Sequence, residues 1–135
     1  MNYLIYFMIS AMASSIVILL VNTYLYISEK EKCFLIWVYA WMAYAFKYVF
    51  DIIDLSVIDS GVCFILKYSF LVISGMLIIY GTYKFIDRKF KYIWSILGVL
   101  CIFWIIVSSL LKFKFSIITL PVFIFLGIIN IYLGI

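Results

Sequence analysis

Histidine is absent from the 135 residues, which removes the usual axial ligand of membrane haem, the commonest zinc ligand and the ordinary proton carrier at neutral pH. Charge is scarce too: ten Lys and Arg with six Asp and Glu make only 12% of the chain, against 70% hydrophobic residues. A water-soluble fold of this length needs a polar surface that such a composition cannot provide, so lipid has to cover most of the exterior. The cysteines are few and odd in number. Cys33, Cys63 and Cys101 lack C-x-x-C spacing and sit in or beside apolar stretches, so they read as small packing residues and not as a disulfide framework or metal site. The six glycines form neither a G-x-x-x-G pair nor a phosphate-cradling loop. With no nucleophile beside a base and no magnesium-binding aspartate motif, neither catalysis nor a cofactor is expected of this segment.

Five long apolar stretches fill the chain, at about 3–27, 33–55, 60–84, 93–111 and 117–135. Each reaches the roughly 20 residues that a helix needs to cross a bilayer. None shows the ten-residue alternation of a barrel strand. Helices are then the means of pairing the backbone within lipid. The expected fold is all-α, a polytopic transmembrane bundle of about five helices forming a single domain over 1–135. The breaks are short, which makes successive helices antiparallel. Ala11-Met12-Ala13 has the look of a signal-peptidase site, but no basic region precedes it and the apolar run continues, so a retained first helix is expected. Pro121, two residues after Thr119, is expected within the first turn or so of the fifth helix, where a missing amide donor costs little.

Lys30 and Lys32 in the first break, and Lys84, Arg88, Lys89 and Lys91 in the third, fall on one side of the bilayer, against only Lys112 and Lys114 on the other. The positive-inside bias places the first and third loops in the cytoplasm, the N-terminus outside and the C-terminus inside a cell (inner or plasma) membrane. The net charge of +4 thus reports threading. It forms no basic stripe, so no nucleic-acid partner is expected. The last apolar run stops at Ile135 without a polar or basic anchor, which reads as a boundary within a longer chain.

The second helix carries the most chemistry. Trp37, Trp41, Tyr44 and Tyr48 recur at helical spacing and form an aromatic stripe, either a packing face or the wall of a ligand pocket. Lys47 precedes Asp51 by four residues and Asp54 by seven, so the three project to one side and Lys47 pairs with Asp51 or snorkels to the interface. If the following hairpin turns near Val57 and Ile58, Lys67 sits at the depth of Lys47. The two cations then need Asp51, Asp54 or Asp59 between them, giving an ionic cluster in the outer half of the bundle. Small residues offer close-packing surfaces at Ala11 and Ser15, at Ala40, and at Gly75 and Gly81. Asn22, Thr23 and Asn130 share a depth from which they could bond across the bundle.

The charged loop from Glu29 to Lys32, followed by Trp37, Trp41, Tyr44, Lys47 and an acidic residue, resembles the N-terminal membrane sensory region of bacterial and archaeal sensor histidine kinases and diguanylate cyclases. The stretch 75–89, with Gly81 near its inner end and Phe85 and Arg88 after it, is similar to the third helix and following loop of those regions. Such regions commonly have seven or so helices, where five are counted here. The resemblance implies a sensory domain in which an outside or intramembrane signal shifts helix packing, and a cytoplasmic signalling domain follows in the same chain, with dimerisation through the helices. The alternatives are a small integral-membrane subunit or transporter-like component acting with partner chains, and a stand-alone structural or immunity-type membrane protein. In every reading the bilayer is the first partner.

Overall fold

The computed structural model describes residues 2–56 and 61–134. Five helices follow one another: α1 (Asn2–Glu29), α2 (Lys32–Ser56), α3 (Gly61–Phe85), α4 (Tyr92–Leu110) and α5 (Phe115–Leu133). All five are long and apolar enough to cross a membrane, an architecture compatible with a multi-pass membrane protein. Val, Ile, Phe and Tyr are indifferent helix formers in water. In hydrocarbon an unpaired peptide group costs several kcal/mol, and that penalty overrides the preference. The expected turn near Val57 and Ile58, the start at residue 60, and Asp59 lie outside the described residues.

The exits of α3 and α4 are built alike. Asp87 and Lys112 adopt positive φ, 52° and 54°. Around the first, the Arg88 amide bonds the Tyr83 carbonyl at 3.0 Å and the Asp87 amide bonds the Lys84 carbonyl at 3.3 Å. Phe113 and Lys112 repeat the pattern on Ser108 and Ser109. This is the two-bond arrangement that closes a helix on a left-handed residue, a position usually given to glycine. A charged residue there pins the turn at the aqueous surface while the carbonyls are satisfied.

Helix α3 is the hub: it packs against α2, α4 and α5, whereas α1 packs among the described residues only against α2. A core of Val72 and Ile79 from α3, Cys101 and Ile105 from α4, and Val122, Phe125 and Ile129 from α5 ties three helices together. At the basic end Tyr83 and Tyr132 stack and meet hydroxyl to hydroxyl at 2.7 Å, with the Trp94 ring tilted against Tyr132. On the other flank α2 lies along α3, the rings of Phe46 and Phe50 stacked on Phe70, and α1 lies outside α2 with buried Ser15 and Asn22 facing in. Since α2 and α5 do not pack on each other, a cleft runs between them with α3 as its floor.

Two sequence expectations need correcting. Helix α5 starts at Phe115, so Pro121 is well inside it and cannot donate to the carbonyl of Ile117. The indole of Trp104 on α4 donates to that carbonyl instead, at 3.3 Å, so the missing bond is replaced from a neighbouring helix as lipid requires. Asn22 and Thr23 do not reach Asn130: they bond back to Ile18 and Leu19 of their own helix at 2.8 Å, because α1 and α5 do not touch.

Glycines permit three close helix approaches, one of them at Gly98 of α4 against the flexible Met76 side chain of α3. A Cβ on Gly81 would lie 2.5 Å from the Trp37 ring and 3.3 Å from Ile36, and one on Gly75 would lie 2.7 Å from Leu126. A Cβ on Gly127 would meet nothing within 4 Å. Gly81→Ala is therefore expected to destabilise the protein by about 1–3 kcal/mol through overpacking of α2 on α3. Gly127→Ala is expected to be neutral or stabilising by up to about 1 kcal/mol. Equilibrium unfolding of both variants in detergent micelles checks the contrast.

Candidate functional site

Helical spacing sets Lys47, Asp51 and Asp54 along the face of α2 that meets α3, and Lys67 arrives from α3. Lys47 Nζ lies 2.5 Å from Asp51 Oδ2. Lys67 Nζ lies 3.5 Å from Asp51 Oδ1 and donates to Asp54 Oδ2 at 2.7 Å. The structure thus brings together all four residues of the expected cluster, two cations and two anions with no net charge. Lys47 does not extend to the interface alone; it is paired, and its ammonium also sits over the Tyr48 ring at 4.4 Å. The Lys67 ammonium lies 5.5 Å from the centre of the Phe64 ring and 5.8 Å from that of Tyr68.

Asp51 is the shared member, 7% exposed and in contact with both lysines. A charge within a span is costly by itself, and pairing within the protein is what makes it tolerable. Among the described residues Asp54 Oδ1 is buried without a hydrogen-bond partner, and Asp51 Oδ2 has only its ion pair with Lys47.

The aromatic stripe divides. Trp41, Tyr44 and Tyr48 form a ladder of edge-on rings, with centroids 5.6 and 5.2 Å apart, and the Tyr44 and Tyr48 hydroxyls are 3.0 Å apart. Trp37 leaves this wall. It packs against Phe34 and Phe85 and over Gly81, so it belongs to the contact of α2 with α3 near the basic end.

Next to the quartet, the cleft between α2 and α5 widens into a cavity of about 470 Å³. Trp41, Tyr44 and Lys47 line it from α2, Tyr68, Ser74 and Gly75 from α3, and Phe123, Leu126 and Asn130 from α5. Its size falls in the range of small-molecule sites, and its lining has the usual character of such sites, apolar with a few polar groups. Ser74 is 1% exposed, and its hydroxyl has no hydrogen-bond partner among the described residues. Ser and Thr in helices usually bond back to the carbonyl four residues earlier, as Ser15, Thr82 and Thr119 do here. Ser74 departs from its neighbours.

Ser74 and the contribution of α5 were not found from the sequence. A polar stripe was available, since Ser74 follows Lys67 by two helical turns on α3. No local signal places α5 beside it, because that depends on how helices distant in sequence pack around α3. Comparison with known protein families, curated proteins and solved structures finds no match to this chain.

Asp51→Asn leaves Lys47 without a carboxylate, and a cost of about 3–5 kcal/mol is expected for a broken buried pair. Lys47→Met leaves Asp51 with Lys67, and the cost should be markedly smaller. Denaturant titration of both variants in the same micelle measures the ranking; equal costs would mean that Asp51 is not the shared member.

Proposed function

We propose that this chain is a membrane-embedded sensory domain, in which an extracytoplasmic or intramembrane signal alters how α2 lies on α3 and the hub helix relays the change to the basic end. The observation that carries this reading is the ion quartet, which spans the contact of α2 with α3 and borders the cavity that α5 completes. Paired charges in a low-dielectric setting attract strongly, and the charge-assisted hydrogen bonds between them weaken steeply once their geometry is disturbed. An interface pinned in this way favours discrete arrangements over continuous drift, the property that switching requires. The Tyr83–Tyr132 contact joins α3 and α5 at the opposite end, where a shift of α3 would be read.

In this proposal the first and third loops face the cytoplasm, the quartet lies in the outer half of a cell membrane, and the output belongs to a cytoplasmic signalling domain of the same chain. One observation favours the second reading, a small membrane subunit acting with partner chains: among the described residues α1 has a single neighbouring helix, and only 6% of its spanning window is buried. That leaves most of α1 for lipid, for a partner helix or for a second copy of the chain.

Spin labels at Lys30 and Arg88, both at the basic end, test the sensory reading. Disrupting the quartet by Asp54→Asn should shift or split the distance distribution between them in liposomes. An unchanged distribution, with the variant folded, would overturn the proposal. A reporter fused behind Ile135 should be active only in the cytoplasm.

A further inference from the structure

We infer that the cavity between α2, α3 and α5 binds a neutral, aromatic, carbonyl-bearing amphiphile that enters from the bilayer. This deepens the sensory reading by naming the ligand class of its site.

Charge decides against an anionic head group. Among the described residues Lys47 is the one cation on the cavity wall, and its charge is already met by Asp51 at 2.5 Å. The second lysine is met by both aspartates. A carboxylate or phosphate would add a net negative charge to a balanced site away from water, and burial of an unpaired ion is among the largest penalties in proteins. A neutral acceptor adds none. An ammonium has three donors, and the contacts of Lys47 with Asp51 and the Tyr48 face leave it able to donate to a carbonyl oxygen.

The remaining wall is consistent with such a ligand. Trp41 and Tyr44 present ring surface from α2, and Phe123 stands across from them on α5. Ser74 lies seven residues, or roughly 10 Å at 1.5 Å rise, beyond the Lys67 level of the quartet along α3. Its buried hydroxyl has no partner among the described residues. A buried hydroxyl without a partner is a cost to the empty protein, and a ligand acceptor would remove that cost. The cleft opens sideways because α2 and α5 do not pack together, so a lipid-dissolved molecule can enter without crossing the polar ends.

The test uses 4-heptylbenzophenone, a neutral photoreactive ketone, with the protein in phosphatidylcholine vesicles, mapped by mass spectrometry. Labelling is expected at Leu71, Ile78 or Leu126. Ser74→Ala should reduce it about fivefold, the value of one neutral hydrogen bond, while leaving the unliganded protein at least as heat-stable as the wild type. Leu126→Trp, which fills the cavity, should abolish labelling; if that variant does not fold, Ser74→Ala carries the test. Labelling confined to lipid-facing residues such as Ile96 and Val99, or unaffected by Ser74→Ala, would overturn the site. Competition by heptylbenzoate as effective as that by unlabelled ketone would overturn the preference for a neutral ligand. Cavity labelling with no change in the Lys30 to Arg88 distances counts against the sensory reading and leaves this site standing. Absent labelling with distances that still respond to Asp54→Asn does the reverse.

Discussion

Asp51 holds two lysines from two helices that are long and apolar enough to span a bilayer, and much of the molecule is arranged around that contact. Removing charge from water is unfavourable, and no single pair here is self-sufficient: Lys47 depends on Asp51, while Lys67 draws on both Asp51 and Asp54. The result is a neutral cluster that forms only if α2 and α3 keep one register. The glycine approach at Gly81 and the stacking of Phe46 and Phe50 on Phe70 support the same register by packing. Lipid tails resemble the side chains they surround, so helix association gains little from the hydrophobic effect. Polar pairing and close fit have to supply specificity.

The same logic explains the distribution of loosely held parts. The α3–α4–α5 core has interlocked apolar side chains and a hydroxyl contact at its basic end. Among the described residues the α1–α2 layer attaches to it through α3 alone. Where α2 stops short of α5, the bundle is left with a cavity whose wall includes a paired lysine and a serine hydroxyl with no partner among the described residues. These features adjoin one another, so a molecule in the cavity touches the helix pair that the quartet fixes. That adjacency is the physical basis for reading the region as responsive and not merely structural.

Much of this was legible in the sequence. The five spans follow from the length of apolar runs, and the described helix ends fall within two residues of those expected. The four charges were legible because a bilayer makes isolated ions costly and helical spacing limits their partners. What the sequence could not convey is which helices become neighbours. Trp37 shares a spacing with Trp41 and Tyr44 but turns to Gly81, because a glycine on α3 makes room there. Pro121 reads as a helix start, yet it is accommodated mid-helix because Trp104 replaces a lost bond. Asn22 and Asn130 match in depth but not in azimuth around the bundle, and depth is all that residue counting measures.

The most direct measurement is a double-mutant cycle on Lys67 and Asp54, using Lys67→Met and Asp54→Asn singly and together, read by equilibrium unfolding in bilayers. If the quartet fixes α2 on α3, the coupling energy should reach at least about 1.5 kcal/mol, as for hydrogen bonds to charged groups. A coupling at or below about 0.6 kcal/mol, the average for neutral bonds between membrane helices, would show that packing alone sets the register and would contradict the account.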